Sequence, residues 1–137
     1  AGYTAFDYTG YDISSKAIEE ANINNADPRN RFLVAGIDKI KKADYTVASG
    51  IFNIFMSANL DEWHEYVLES LEKLFSASTK ACASNFLTSY SHPERMRDDL
   101  YYPDPREIFD HCMKLTPWVS IRHDYGLYDF TVIMRRL

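Results

Sequence analysis

The sequence predicts one α/β domain whose mixed sheet is mainly parallel, ends in an antiparallel hairpin and is flanked by helices. Short β-rich runs alternate with longer stretches of helical periodicity, a pattern typical of parallel strands joined by helices. The last twenty residues instead alternate apolar and polar side chains, as a hairpin does. The length of 137 residues, 46% of them apolar, suits a single domain over residues 1–137 with a buried core.

The first third of the chain contains three predicted strands and one helix. Tyr8–Asp12 is the first strand, and Ser14, a favourable N-cap residue, precedes a helix over Lys16–Ala26. The next two strands are Arg31–Ala35 and Asp44–Ser49. Their central residues are apolar or β-branched, so we expect both strands to be buried on both faces of the sheet.

The middle of the chain contains the most regular helix. Apolar residues recur at three- and four-residue steps over Asn59–Ser76, which predicts an amphipathic helix. Thr79–Thr88 follows as a buried strand, and a long polar segment covers Ser89–Pro103. Asp104 and the proline after it then begin a third helix, because aspartate caps helices and proline suits the first helical position.

The end of the chain predicts two antiparallel strands, Trp118–Asp124 and Tyr128–Arg135, joined by a turn at Tyr125-Gly126-Leu127. The total is six strands and three main helices.

Composition and residue spacing argue against several classes of function. Fifteen basic and twenty acidic side chains give a formal net charge of −5, with none of the basic clustering that a nucleic-acid partner needs. No apolar run approaches the length that spans a bilayer, and the first residues lack a signal peptide, so we expect a cytoplasmic protein with no membrane partner.

The two cysteines, Cys82 and Cys112, are expected to be reduced residues of the core. His64, His111 and His123 fall at no metal-ligand spacing, so no metal is expected.

Acidic and glycine residues at the predicted strand ends suggest a nucleotide site. Asp12 closes a strand just before a helix cap, where its two carboxylate oxygens suit the two hydroxyls of a ribose. By itself Asp12 is equally compatible with a simple capping role. The next two strands end in Val34-Ala35-Gly36-Ile37-Asp38 and Ala48-Ser49-Gly50-Ile51-Phe52-Asn53.

Together with the closing segment Asp124–Ile133, these segments resemble the class I S-adenosylmethionine-dependent methyltransferases, whose Rossmann-like sheet ends in a reversed hairpin. The similarity runs from about Tyr8 to the end of the chain. It implies S-adenosylmethionine as the cofactor and direct methyl transfer to a small-molecule acceptor.

The resemblance also implies roles for individual residues. Asp12 would accept from the ribose hydroxyls, and Ile13 would lie against the adenine. The residues expected near the adenine amino group are Gly36, Ile37 and Asp38. The loop residues expected under the sulfonium are Ser49, Gly50 and Ile51. The residues expected to contact the acceptor are Asn53, Tyr90, His92 and Tyr101.

No catalytic residue is singled out, because in-line displacement depends mainly on placement of the acceptor. His92 is a candidate base if the acceptor is a hydroxyl or an amine.

The sequence departs from the family in one respect. Members open with a strand and a glycine-rich turn about 20 residues before the acidic residue, and no Gly-x-Gly occurs in these 137 residues. We therefore expect a methyltransferase domain that begins after its first strand, is a poor enzyme alone, and self-associates through exposed sheet edges. The alternative is a non-catalytic α/β remnant or interaction module that no longer binds the cofactor.

Overall fold

A computed structural model describes residues 5–55 and 59–137 of the chain. Within these ranges it contains six strands and three α-helices, in the predicted order. The described residues divide into two compact units, one that ends at Lys41 and one that begins at Lys42. Each unit is described by itself below.

The first unit is a β-α-β arrangement. Its elements are β1 (Tyr8–Asp12), α1 (Ser15–Asn24), β2 (Asn30–Val34) and a 3₁₀ turn (Ile37–Lys39). The two strands pair in parallel, with Asp12 opposite Val34. Gly10 is required by this pairing, because a Cβ at that position would lie only 2.8 Å from Cδ1 of Phe32 across the sheet.

The second unit is a four-stranded mixed sheet with two helices. Its elements are β3 (Ala43–Ala48), α2 (Leu60–Ala77), β4 (Ser78–Leu87), a 3₁₀ turn (Pro93–Arg95), α3 (Pro105–Leu115), β5 (Val119–Arg122) and β6 (Asp129–Arg135). The strand order is β3-β4-β6-β5, with β3 parallel to β4 and β6 antiparallel to both of its neighbours. The predicted mixed α/β fold with its C-terminal hairpin is confirmed.

The helix α2 buries the stripe that its periodicity predicts. The side-chain oxygen of Asn59 accepts from the amide of Asp61 at the N-terminus, which satisfies a backbone donor left without an intrahelical partner. Trp63, Val67 and Leu71 follow at four-residue steps and are buried.

The helix α3 begins at the predicted cap. Oδ1 of Asp104 accepts from the amide of Arg106 over 2.8 Å, and Ile108 and Cys112 are buried. Both cysteines are free and buried, as expected.

The expectation that the second and third strands are buried on both faces was wrong. Leu33 and Val34 in β2 are exposed, as are Tyr45 and Val47 in β3, whose exposed fractions are 64% and 73%. In the second unit α2 covers one face of β3, where Oγ1 of Thr46 donates to the carbonyl of Leu74. Tyr45 and Val47 alternate with Thr46 and therefore face the opposite side of the strand.

The strands β1 and β3 each have one edge that no other described strand pairs. Within the described residues, β1 is hydrogen-bonded only to β2 and β3 only to β4.

Candidate functional site

The carboxyl ends of β1 and β2 meet at one edge of the first unit. The amide of Ala35 donates to the carbonyl of Asp12 over 3.0 Å, which continues the parallel ladder beyond the strands. Ile13 and Gly36 therefore follow as neighbours, and a Cβ placed on Gly36 would lie 4.0 Å from Cγ2 of Ile13. The structure thus brings together the residues that the sequence assigned to the adenosine.

The Asp12 side chain is exposed and only partly used within the protein. Its Oδ1 accepts from the amide of Ser14 over 2.8 Å, and the Ser14 hydroxyl caps α1 by accepting from the amide of Ala17. No partner of Oδ2 occurs among the residues that the structure describes. Asp12 therefore has the capping contact expected of a structural residue and a second oxygen that remains open to a ligand.

Ile13 and Gly36 form an open, apolar corner beside this carboxylate. Ile13 is 69% exposed, a costly position for a branched apolar side chain. Apart from Ile13 and the two residues adjacent in the chain, no residue that the structure describes has an atom within 4 Å of the position that a Gly36 side chain would take. The 3₁₀ turn that contains Ile37 and Asp38 is closed by a hydrogen bond from the amide of Lys39 to the carbonyl of Gly36. This corner has space for a flat apolar group, so the residues present fit an adenosine.

The second unit contributes the loop after β3. Gly50 has a φ of +72°, a conformation that favours glycine. Its amide donates to Oδ1 of Asn85 in β4 over 2.8 Å, and Nδ2 of Asn85 donates to Asp129 in β6. Ser49, Gly50 and Ile51 are exposed, so this loop presents side chains and backbone to solvent from a fixed position.

Phe52 and Asn53 anchor the other end of this loop. Phe52 is buried and stacks on Phe86, which in turn stacks on Phe130. The carbonyl of Phe52 accepts from the indole of Trp63 in α2, and the carbonyl of Asn53 accepts from the amide of Tyr101 over 2.8 Å.

The predicted acceptor residues divide into two groups. Tyr90 and His92 are exposed in the segment after β4. Tyr101 is only 3% exposed, and its hydroxyl is hydrogen-bonded to Nδ1 of His64 in α2. Burial raises the pKa of the Tyr101 hydroxyl, so it stays protonated across the neutral range. Asn53 lies next to this buried tyrosine, because its carbonyl accepts the hydrogen bond from the Tyr101 amide.

The sequence did not predict the aromatic neighbours of the two exposed acceptor residues, Tyr90 and His92. The ring of Tyr90 meets that of His123, and the ring of His92 meets that of Tyr128. His123 and Tyr128 lie more than 30 residues further along the chain, and only the pairing of β4 with β6 brings them to this edge. The one available signal was the concentration of aromatic residues in the predicted hairpin.

Nothing in the described ranges points to a metal centre, because no three His, Cys, Asp or Glu side chains are grouped to hold an ion. None of the described helices is both long and apolar enough to cross a membrane.

Comparison with known proteins identifies the family. The chain is 40% identical over 131 residues to "Putative methyltransferase Rv1506c" of Mycobacterium tuberculosis, a match that covers 95% of this chain and 79% of that protein. No protein-family profile matches the chain. The chain therefore belongs to the family of this putative methyltransferase.

Solved structures share the fold at low sequence identity. Magnesium protoporphyrin IX methyltransferase (ChlM) of Synechocystis PCC 6803, solved with bound SAH, is 12% identical with a TM-score of 0.66 over 94% of this chain. An O-methyltransferase family protein of Burkholderia thailandensis is also 12% identical, with a TM-score of 0.68 over 96% of this chain. The chain spans 63% and 44% of the lengths of these two proteins.

Proposed function

We propose that this protein transfers a methyl group from S-adenosylmethionine to a small-molecule acceptor. The observation that carries the proposal is the exposed Asp12 carboxylate at the end of β1, with one oxygen open, beside Ile13 and Gly36. Family membership makes an adenosine-containing cofactor the ligand that this corner would take. A small acceptor agrees with the name of the Synechocystis relative, which specifies magnesium protoporphyrin IX.

The resemblance assigns candidate cofactor residues in both units, and the residues of each unit are proposed by themselves. In the first unit, Asp12 would accept from the ribose hydroxyls, while Ile13 and the turn from Gly36 to Asp38 would hold the adenine. In the second unit, the Ser49–Ile51 loop would contact the methionine part, since Gly50 leaves backbone groups accessible for close approach. Bound S-adenosylmethionine would supply an electrophilic methyl group on a sulfonium.

His92 is the group in the acceptor segment that is suited to take a proton. Its Nδ1 lies 3.2 Å from Oε1 of Glu94. With Glu94 accepting from Nδ1, Nε2 carries the lone pair and can accept a proton from an acceptor hydroxyl. The remaining contribution is orientation, because direct displacement needs the acceptor atom in line with the methyl group.

Calorimetric titration of S-adenosylmethionine and S-adenosylhomocysteine into the complete gene product tests the proposal. Binding of both at micromolar strength would support a methyltransferase. Absence of binding to a folded protein would overturn it in favour of a non-catalytic α/β module. The chain contains no Gly-x-Gly sequence, so we expect it to bind the cofactor more weakly than a methyltransferase that has a glycine-rich turn.

A further inference from the structure

Two pairs of aromatic side chains and one arginine lie on the second unit, in the segments that follow β4 and precede β6. We call this cluster the aromatic edge, and its members are Tyr90, His92, Arg95, His123 and Tyr128. All five are exposed.

The backbone beneath the aromatic edge is firmly held. The amide of Thr88 donates to the carbonyl of Tyr128, which extends the pairing of β4 with β6. Thr88 is buried, and its side-chain and carbonyl oxygens accept from the Tyr90 amide and the Ser91 hydroxyl. His123 contacts the buried ring of Phe130. The backbone that carries the rings is therefore held in place, which lowers the entropic cost of binding a ligand here.

The rings are arranged edge to face. The centroids of Tyr90 and His123 are 6.1 Å apart with an interplanar angle of 71°, and those of His92 and Tyr128 are 5.4 Å apart at 72°. In such a pair the ring that presents its edge keeps its own faces free of its partner. Tyr90 is 60% exposed. The aromatic edge thus offers ring surface suited to contact with another planar ring.

Arg95 adds a positive charge to this surface. Its Cζ lies 5.5 Å from the centre of the Tyr128 ring. Among the described residues Arg95 has no carboxylate partner, whereas Arg97, Arg106 and Arg122 each bind an aspartate. Glu94, the acidic neighbour, is directed to His92. The guanidinium of Arg95 is therefore available to a ligand anion in a chain whose net charge is −5.

We propose that the aromatic edge binds the methyl acceptor, and that this acceptor is a planar aromatic compound with an anionic group and a hydroxyl. The inference rests on the proposed methyltransferase function. Aromatic rings recognise the planar ring, Arg95 pairs with the anion, and Nε2 of His92 receives the hydroxyl proton. A nucleic acid is disfavoured, because its backbone requires several cations along one surface.

The probe for this site is 4-hydroxybenzoate, added to the complete gene product and monitored by NMR chemical shifts and calorimetry. Two matched compounds separate ring from charge: 4-hydroxycyclohexanecarboxylate has the anion without the aromatic ring, and 4-hydroxybenzyl alcohol has the ring without the anion. We expect 4-hydroxybenzoate to bind more tightly than either, with shifts at His92, His123 and Tyr128.

The chain offers a matched control for the variants. Tyr45 and Lys80 form a second cation–π pair, with Nζ 5.7 Å from the ring centre, outside the aromatic edge. Tyr128→Leu and Arg95→Gln should each weaken 4-hydroxybenzoate binding by about five- to tenfold, whereas Tyr45→Leu and Lys80→Gln should leave it unchanged. Equal effects of both pairs of variants, or no binding of 4-hydroxybenzoate to a protein that binds the cofactor, would overturn the inference.

Titration of S-adenosylmethionine into the same variants distinguishes this inference from the proposed function. We expect cofactor affinity to be the same in the wild type, Tyr128→Leu and Arg95→Gln. If 4-hydroxybenzoate binds at the aromatic edge but the wild type does not bind S-adenosylmethionine, the proposed function is wrong. The aromatic edge is then not a methyl-acceptor site, although its preference for an anionic aromatic ligand stands.

Discussion

The amide of Gly50 donates to the side-chain oxygen of Asn85 over 2.8 Å, and this bond joins the loop after β3 to the neighbouring strand β4. The two residues are 35 positions apart in the chain. Because Asn85 also donates to Asp129, one side chain connects the loop to two strands. The position of the proposed cofactor loop therefore depends on a side chain outside the loop.

Replacing Asn85 with leucine should loosen this loop. The variant keeps the side-chain size but removes the acceptor, so we expect a loss of about 1 kcal/mol in the free energy of unfolding. The local readout is amide hydrogen exchange at Gly50, which should become faster. Thr79→Val, on the same strand as Asn85, serves as a control, because it removes the exposed hydrogen bond from Thr79 to Asp44 in β3. Unchanged exchange at Gly50 in Asn85→Leu would contradict the role of this bond.

Alanine substitution should distinguish the positive φ that Gly50 needs from the contact with the cofactor that we propose for it. Gly50 and Gly126 both have a φ of +72°, and within the described ranges only their own chain neighbours could lie within 4 Å of the Cβ that either would carry. Each alanine variant should therefore lose a similar amount, roughly 1–2 kcal/mol, in thermal or urea unfolding. Only Gly50→Ala should also weaken S-adenosylmethionine binding. Equal affinity in both variants would remove Gly50 from the cofactor site.

Removal of the Asp12 carboxylate should weaken cofactor binding by about 1–3 kcal/mol, because the ribose hydroxyls would lose their acceptor. Asp12→Ala also removes the turn bond to Ser14, so a control must remove a similar bond elsewhere. Asp27→Ala does so, since Oδ1 of Asp27 accepts from the amide of Arg29 with the same two-residue spacing. Calorimetry should show weaker cofactor binding in Asp12→Ala but not in Asp27→Ala. An equal loss of affinity in both variants would show that the lost turn hydrogen bond, and not the contact with the ribose, causes the effect.

The two buried cysteines should make the protein sensitive to high pH. Burial raises the pKa of Cys82 from 9.0 to about 11 and that of Cys112 to about 12. Both thiols are neutral in the folded protein and ionise near pH 9 when it unfolds. Their contribution to stability is thus complete below about pH 9 and is lost as the pH rises towards 12.

Urea unfolding at pH 8 to 11 checks this expectation. The decline in the free energy of unfolding should be shallower in a Cys82→Ala/Cys112→Ala variant. At pH 8 iodoacetamide should modify neither thiol in the native protein and both after denaturation. Rapid modification of the native protein would show that the thiols are accessible.

The unpaired edge of β3 should promote self-association. Val47 is exposed beside backbone groups that no strand of the described chain pairs, and such edges associate unless they carry charge. Val47→Lys should therefore shift the chain towards monomer in light scattering at increasing concentration. Leu127→Lys adds the same charge at an exposed apolar residue outside the strands and should not. A wild-type chain that stays monomeric at every concentration would contradict the expectation.

The helices and strands could largely be predicted from local pattern. The four-residue spacing of Trp63, Val67 and Leu71 predicted α2, because a helix repeats every 3.6 residues whatever it packs against. Asp104 with its following proline predicted the start of α3, since capping depends on neighbours in the chain. The resemblance at Asp12, Gly36 and Gly50 indicated the family on the same basis.

The tertiary structure decided which of these residues meet and which are exposed. Tyr90 and Tyr101 both lie in the predicted polar segment Ser89–Pro103, yet Tyr101 is buried against His64 and Tyr90 is exposed beside His123. The partners of Gly50, Tyr90 and His92 lie about 30 or more residues away. These contacts depend on the register of β4 with β3 and β6, which is set by side-chain packing across the whole sheet, and local periodicity does not encode it.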